Sequence, residues 1–581
     1  MPTKRIQVPM LGGVIVVLLV CLLAPSAALA SHNQISIVED DIALANNPGP
    51  TLQELRHLGV DMVRVGLHWS QVAPNPTSRR QPRFNATNPN TYPRGAWNAY
   101  DAIARDATAD GVKIMFVPTA FAPVWGQGSN PGRYHAHNNN INQAFKPNAR
   151  EYGQFVRAVG TRYSGHFTPQ GATAPLPRVS YWEIYNEPNF GEDIAPQAID
   201  GSRVLYAPIV YRALLNAGWS ALHATGHGRD TILIGALAAH GIGGPPSRRA
   251  PQGYPGTYGE TKPLSFIRAL YCVDNSYRRY RGAAGAIRSC PTTAAGSARF
   301  RAQNPALFNA SGFSDHPYPS NQPPNQSVHA DPNTTDFSQL PRLASTLDRI
   351  QRIYHSGKRF PIWNTEYSYI TDPPNASTPS GRPRTCHCHY ASPDTAGSFI
   401  NWAEYLSWEN PRIASTMQYL LYDPNPRVGT PEYGGFSSGL LYYPTVLGGG
   451  PKAGYFAYRL PIYMPKTSTR TGKTLQVWGD VRPARFAMAD GDGAQYVQVQ
   501  FEQPHGAWIT EKTLRITDPH GYFQTSVAFP ASGWVRIAWS YPTLDSSLAS
   551  SLVTPSTVVG PGGYFEPLTA TNSRSVKIKL T

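Results

Sequence analysis

Two short segments carry acidic side chains directly after apolar, strand-like runs: Trp182-Glu183-Ile184-Tyr185-Asn186-Glu187-Pro188 and Trp363-Asn364-Thr365-Glu366-Tyr367. Glu187 and Glu366 are distant in sequence, so only a fold that returns both strand ends to one pocket can pair them. Paired carboxylates can divide a reaction between them, one holding a proton to donate and the other ionised to attack. A different chemistry is suggested by Cys386-His387-Cys388-His389. An extended backbone sends alternate side chains to opposite faces, which separates the two Cys from the two His and argues against a metal site. Past residue 30 the chain holds Cys272, Cys290, Cys386 and Cys388, an even set that favours disulfides in one of three pairings. Cys272 with Cys290 would close a loop of about 19 residues, stabilising by about 3 kcal/mol in the chain-entropy picture.

The elements that must position these residues alternate. Strand-like runs fall at 34–38, 60–69, 112–119, 179–185, 232–237, 312–314, 360–365 and 413–421. Between and after them come helical faces: Leu52, Leu55 and Leu58; Trp97, Tyr100, Ile103 and Ala107; Tyr152, Phe155, Val156, Val159 and Tyr163; Leu343, Leu347, Ile350 and Tyr354. Further helices are expected at 204–223, 264–271, 396–408 and 453–458. Eight βα units demand a parallel sheet, and their number fits an α/β fold closed as a (β/α)8 TIM barrel over residues 31–465. No G-x-G-x-x-G follows the first strand, which excludes a dinucleotide site of that kind. In such a barrel the active site lies at the C-terminal ends of the strands, where Glu187 and Glu366 fall. Glu183 shares the inward parity of Glu187 and reads as a buried structural carboxylate. From about residue 473 the period changes to two, with Val497, Val499 and Phe501 and later Val535, Ile537 and Trp539 on one face, predicting an antiparallel β-sandwich at 466–581.

The W-E-x-x-N-E-P ending of strand four and the T-E-Y of strand seven resemble clan A of the glycoside hydrolases, retaining enzymes built on (β/α)8 barrels. Arg64 on strand two and His316-Pro317-Tyr318 at strand six match the clan's pattern in the right order. Within the clan, residues 31–465 look closest to bacterial cellulase-like or β-xylosidase-like families. The resemblance implies that Glu187 is the general acid/base and Glu366 the nucleophile of a double displacement at a sugar's anomeric carbon. It also implies that Arg64 orients Glu366 and keeps it ionised, that Tyr318 donates a hydrogen bond to it, that Asn186 binds the neighbouring sugar hydroxyl and that His316 bridges sugar and carboxylates. Trp69, Trp125 and Tyr367 lie just past strand ends, where their rings could stack on sugar. The sequence departs from the clan at strand eight, where a stacking Trp is common; here Met417-Gln418-Tyr419-Leu420-Leu421-Tyr422-Asp423 offers tyrosines and Gln418. The same residues would serve a transglycosylase, and a barrel that has lost activity would be a carbohydrate-binding protein. The mechanism needs neither a metal nor an organic cofactor. In the sandwich, Trp478, Trp508, Trp534 or Trp539 could bind glycan, although packing against the barrel is the expected role.

The whole composition fits this reading. The 581 residues carry 15% charged side chains against about 25% usually, with 51 Gly, 55 Pro and 11% aromatics, as in a large, loop-rich globular protein. Net charge is +15, but the basic residues are scattered in pairs at most, such as Arg79-Arg80 and Arg278-Arg279, which argues against nucleic acid as partner. Lys4 and Arg5, an apolar run at 8–23 and Ala28-Leu29-Ala30 together read as a signal peptide over 1–30. The run is shorter than the roughly 20 residues of a membrane span. A secreted mature chain without a membrane span, acting on carbohydrate, is the expectation.

Overall fold

The computed structural model of the chain describes residues 31, 33–128, 144–199, 202–243, 255–327, 331–371, 391–425, 436–445, 447–541 and 570–581. The expected leader at 1–30, and Cys386 and Cys388, lie outside them. Eight parallel strands form one sheet: β1 (Ile35–Glu39), β2 (Met62–His68), β3 (Lys113–Thr119), β4 (Tyr181–Glu183), β5 (Thr231–Ala238), β6 (Gly312–His316), β7 (Ile362–Asn364) and β8 (Ser415–Tyr419). Their order, β7-β6-β5-β4-β3-β2-β1-β8, is sequential apart from β8, which pairs with β1. A parallel bridge from Ile362 to Ile413 joins the two ends, so the sheet closes into the expected barrel.

Each strand is followed by a helix: α1 (Pro48–His57), α2 (Asn98–Ala109), α3 (Ala149–Arg162), α4 (Ala207–Ala224), α5 (Pro263–Leu270), α6 (Leu340–Ile353), α7 (Pro393–Glu409) and α8 (Ala453–Arg459). Local chemistry sets their starts. Asn148 caps α3 by accepting from the amides of Arg150 and Glu151, and Ser392 caps α7 with Pro393 in the first turn. Leu343, Leu347 and Ile350 of α6 are buried at helical spacing against the barrel wall. β4 and β7 are shorter than their apolar runs. Beyond Glu183 the chain leaves strand geometry, with Tyr185 at φ 72° and Glu187 at φ 32°. No helix among the described residues is long and apolar enough to cross a membrane.

The C-terminal strands β9 (Ile462–Tyr463), β10 (Ser468–Thr469), β11 (Thr474–Asp480), β12 (Tyr496–Glu502), β13 (Trp508–Arg515), β14 (Tyr522–Ala528), β15 (Gly533–Ser540), β16 (Ala570–Asn572) and β17 (Val576–Leu580) form two sheets. One runs β10-β17-β15-β12-β13 with β16 beside β15, and the other β14-β11-β9. Pairing is antiparallel except between β10 and β17. Leu475, Val477 and Val527 of one sheet meet Val497, Val499, Phe501, Val535 and Ile537 of the other in one core.

This sandwich packs on the barrel at the N-terminal ends of its strands. Asp61, immediately before β2, bonds to Arg485, and Arg482 places Nη2 2.7 Å from both carboxylate oxygens of Glu404 on α7. Gly59 is required there: its φ is +82°, and a Cβ would stand 2.3 Å from the Arg482 carbonyl carbon. Trp478 is fully buried against Tyr405 and Trp408 of α7, and Trp539 lies in the sandwich core, so neither presents a face to glycan.

Candidate active site

Opposite the sandwich, at the C-terminal strand ends, Arg64 of β2 stands at the centre of a polar cluster. Register places Glu39 of β1 directly beside it, and Tyr419 of β8 beside Glu39. The guanidinium is 1% exposed, and its donors are engaged with Glu183 (Nε, 2.7 Å), Glu39, Glu366 (Nη1, 2.8 Å) and Asn186 (Nη2, 2.7 Å). Glu183, at the end of β4, also accepts from the Thr365 hydroxyl at 3.0 Å. Burial would raise its carboxyl, but Arg64, His316 and hydrogen bonds outweigh that and hold it below the ordinary value. It is an ionised support for Arg64, as its parity suggested.

Glu187 and Glu366 come together. One oxygen of each, with a ring nitrogen of His316, lie within 4.8 Å of one another. Their surroundings differ. Glu366 receives Arg64 Nη1 on Oε1 and the Tyr318 hydroxyl on Oε2 at 3.0 Å. Burial raises its carboxyl, His316 and Arg64 lower it, Glu187 raises it, and the result stays above the usual value. Glu187 is paired with His316 Nδ1 at 2.8 Å, and burial pushes its carboxyl up to about 7 against the opposing pull of Arg64. Burial likewise lowers His316 to about 4, so the ring is neutral at neutral pH. A proton on Nδ1 then serves Glu187, while Nε2 has no hydrogen-bond partner among the described residues. Burial, then the negative charge of Glu366, pushes the Tyr318 phenol well above its ordinary value, which keeps it a donor.

Asn186 is fixed from three sides: Thr119 Oγ1 accepts its amide at 3.0 Å, Arg64 donates to Oδ1, and Nδ2 reaches Asp193 at 3.3 Å. The left-handed conformations of Tyr185 and Glu187 fold this segment across the mouth of the barrel, a strained geometry of the kind held at reaction centres. Glu187, His316 and Glu366 offer three metal-ligand atoms, but the Arg64 guanidinium already occupies the same Glu366 carboxylate with a positive charge, which disfavours a cation there.

Two of the three aromatic residues expected to meet sugar do not line the cleft. Trp69 is 1% exposed because it opens a helical turn, Trp69–Val72, that swings the indole onto Tyr152 and Phe155 of α3. Tyr367 lies beyond the last residue of β7 and packs on Phe337 with its hydroxyl on Tyr369. Trp125 stays half-buried, its Nε1 on the Pro74 carbonyl at 3.0 Å. At strand eight, Gln418 is spent on the carbonyls of Tyr419, Leu420 and Ser438. Half-buried Tyr419 and Phe436 instead set their rings edge-on to Tyr318, with centroids 6.3 and 5.1 Å away, in the region where a Trp was absent. Thr365 of the T-E-Y motif also joins the cluster, and Glu39, Asp193 and Phe436 are further members that sequence reasoning missed. Only Glu39 left a signal, as a carboxylate ending a buried strand.

No protein-family model and no curated protein matches this chain. Glycosidases are among the solved structures it resembles. The endo-β-1,4-mannanase of Thermotoga petrophila aligns over 96% of this chain and 100% of its own at 11% identity and a TM-score of 0.37. The family 1 β-glucosidase of Thermotoga maritima aligns over 70% of this chain and 84% of its own at 14% identity and a TM-score of 0.36. The virulence factor SghA of Agrobacterium tumefaciens aligns over 68% and 81% at 13% identity and a TM-score of 0.38. At such identities and scores no residue role follows from these likenesses.

Proposed function

We propose that this protein is a secreted retaining glycoside hydrolase that cleaves O-glycosidic bonds of a poly- or oligosaccharide or glycoside. The observation that carries this reading is the pairing of Glu187 and Glu366, oxygens within 4.8 Å, in unlike environments. An inverting pair needs about 6.5–9.5 Å to admit a water, whereas double displacement uses about 5–5.5 Å.

Glu366, oriented by Arg64 and Tyr318, attacks the anomeric carbon while Glu187 gives its proton to the departing oxygen. Attack consumes the charge of Glu366, so the Glu187 carboxyl becomes easier to ionise and accepts a proton from the incoming water. Asn186, held by Arg64, is placed for the sugar hydroxyl beside the reacting carbon, and His316 holds the Glu187 carboxyl in position. Trp125, Tyr419 and Phe436 are the aromatic surfaces left to meet sugar rings. Export is supported by the sequence of the first 30 residues and by the Cys272–Cys290 disulfide, a bond of oxidising compartments.

Because Glu187 must begin protonated with a pKa of about 7, kcat/KM should fall roughly tenfold per pH unit above that value. The acid limb is set by Glu366, whose carboxyl lies above its ordinary range and must be ionised to attack. The direct test screens the purified protein on polysaccharides and aryl glycosides, then follows the anomeric configuration of the first product by NMR. Retention is expected; an inverted first product would overturn the mechanism.

A further inference from the structure

Beside the acid/base loop, the barrel wall opens into a second cavity of about 460 Å³, a size typical of small-ligand sites. It lies between the segment before α4, the start of α5 and the disulfide-closed loop, and among its lining residues are Arg203, Lys262, Arg268 and Arg288, with no acidic side chain among those described. Among the described residues only Lys262 of these four has a carboxylate partner, Asp331. Arg268 is 8% exposed, yet its hydrogen bonds go to neutral acceptors: Asn275 at 3.2 Å, Ser265 at 3.2 Å and Asn333. Its Nη1 makes no hydrogen bond among the described residues. Arg288 lies with its guanidinium 4.5 Å over the Tyr280 ring and donates from Nη1 to the Ala284 carbonyl at 3.0 Å, and Arg203 is exposed with no ion pair among the described residues. Three arginines thus line one concavity with no carboxylate partner among the described residues, and anionic oxygens entering it would gain charge-assisted hydrogen bonds.

The cavity is also built to hold its shape. The Cys272–Cys290 disulfide closes the loop that carries Tyr280 and Arg288, and buried Arg212 of α4 ties that loop down through the carbonyls of Leu270 (2.9 Å), Arg288 (3.0 Å) and Ser289 (3.0 Å). Its inner wall is stitched to the reaction centre. The Thr261 amide donates to the Asn189 carbonyl at 2.7 Å, and the Asn189 side chain returns a bond to the Thr261 carbonyl at 2.9 Å, two residues beyond Glu187.

We propose that this cavity binds the anionic group, carboxylate or sulfate ester, of an acidic sugar residue, so that the substrate of the site is an acidic glycan reaching from the cleft past the Glu187 loop. The choice of substrate rests on the glycosidase reading; the anion site does not. Arginine suits both groups, because its planar fork bonds two oxygens at once.

The test is calorimetric binding by the full-length protein of two matched probe pairs at physiological salt: polygalacturonate against its methyl ester, and dextran sulfate against dextran. Variants are Arg203→Gln, which breaks no ion pair of the fold, Arg268→Met, and Arg94→Gln as a distant exposed control. The charged probe of at least one pair should bind about tenfold or more tighter than its neutral mate, and that preference should fall about tenfold in both cavity variants. Arg94→Gln should leave it intact. A response confined to polygalacturonate identifies a uronic acid, and one confined to dextran sulfate a sulfate ester. Equal binding within both pairs, or losses in Arg94→Gln as large as in Arg203→Gln, would overturn the proposal; should Arg268→Met fail to fold, Arg203→Gln decides alone. Binding needs no turnover: preserved charge preference in a protein that cleaves no glycoside would sink the enzyme reading and leave the anion site standing, whereas cleavage without charge preference would do the reverse.

Discussion

The two ends of the barrel each bury carboxylates, and they treat them in opposite ways. At the sandwich end, Asp61 is surrounded by donors: Arg485, the Ser36 amide and hydroxyl at 2.8 Å each, and His520 at 3.5 Å. Burial would raise its carboxyl, but those partners win and hold it at about 2. At the cleft, Glu187 has the His316 ring as its close partner, and that ring is itself kept neutral, so burial wins and the carboxyl rises to about 7. The difference lies in how completely donors replace the lost water. A carboxylate saturated with donors is a fastening; one left short of them is a proton held ready. Arg64 shows the same rule within a single cluster, since it holds Glu183 below its ordinary value, while burial, with the nearby charges of Glu366 and Asp41, pushes Glu39 well above its own.

The contrast can be broken at either end. The largest effect should come from Glu366→Ala, which removes the attacking group: turnover on any glycoside should fall by about 10⁴-fold or more with the melting temperature little changed. Activity near wild type in that variant would remove Glu366 from the centre of the account. At the other end, Asp61→Asn should lower stability by about 2 kcal/mol near pH 7 and leave kcat unaltered. The sign follows from the depressed pKa: the contribution of Asp61 is complete above its unfolded value and is lost as pH falls through about 2, so wild type and variant should converge in acid denaturation. A stability effect of opposite sense, confined to high pH, is expected from Glu187→Gln. A carboxyl raised to about 7 binds its proton more tightly folded than unfolded, which makes the fold less stable as pH climbs from about 4 to 7. Removing that carboxyl should therefore stabilise the protein by about 3 kcal/mol at pH 8 and by almost nothing at pH 4. Equal melting shifts at both values would contradict the difference drawn between the two ends.

How far the amino-acid sequence alone reaches follows from the same physics. The barrel is legible because alternating periods of helix and strand are set by local apolar spacing, and Glu187 and Glu366 come together once eight strand ends must meet, whereas Arg64, Asn186, His316 and Tyr318 are singled out only by the resemblance to the glycoside hydrolases. What escapes is whatever depends on the backbone just beyond a strand. Trp69 ends an apolar run, which by itself places it at the cleft, but the turn that it begins points it into the helical layer. Tyr367 lies past the end of β7, where Thr365 and Glu366 both reach the cluster and strand alternation no longer dictates where the next side chain goes. Glu39 was overlooked because its significance lies in pairing with Arg64 across strands, which no one-dimensional pattern displays. The replacement of a missing Trp by Tyr419 and Phe436 is tertiary in the same sense, as Phe436 comes from a loop with no period at all.

The central claim, that Glu187 is the proton reservoir and Glu366 the nucleophile, is tested most directly with Glu187→Gln on aryl glycosides of graded leaving-group acidity. The account predicts losses of about 10²–10⁴-fold for poor leaving groups and a largely spared first step for activated phenols. With those phenols, release should come as a burst while a glycosyl adduct accumulates and is located on Glu366 by mass spectrometry. A uniform loss across all leaving groups, with neither burst nor adduct, would contradict it.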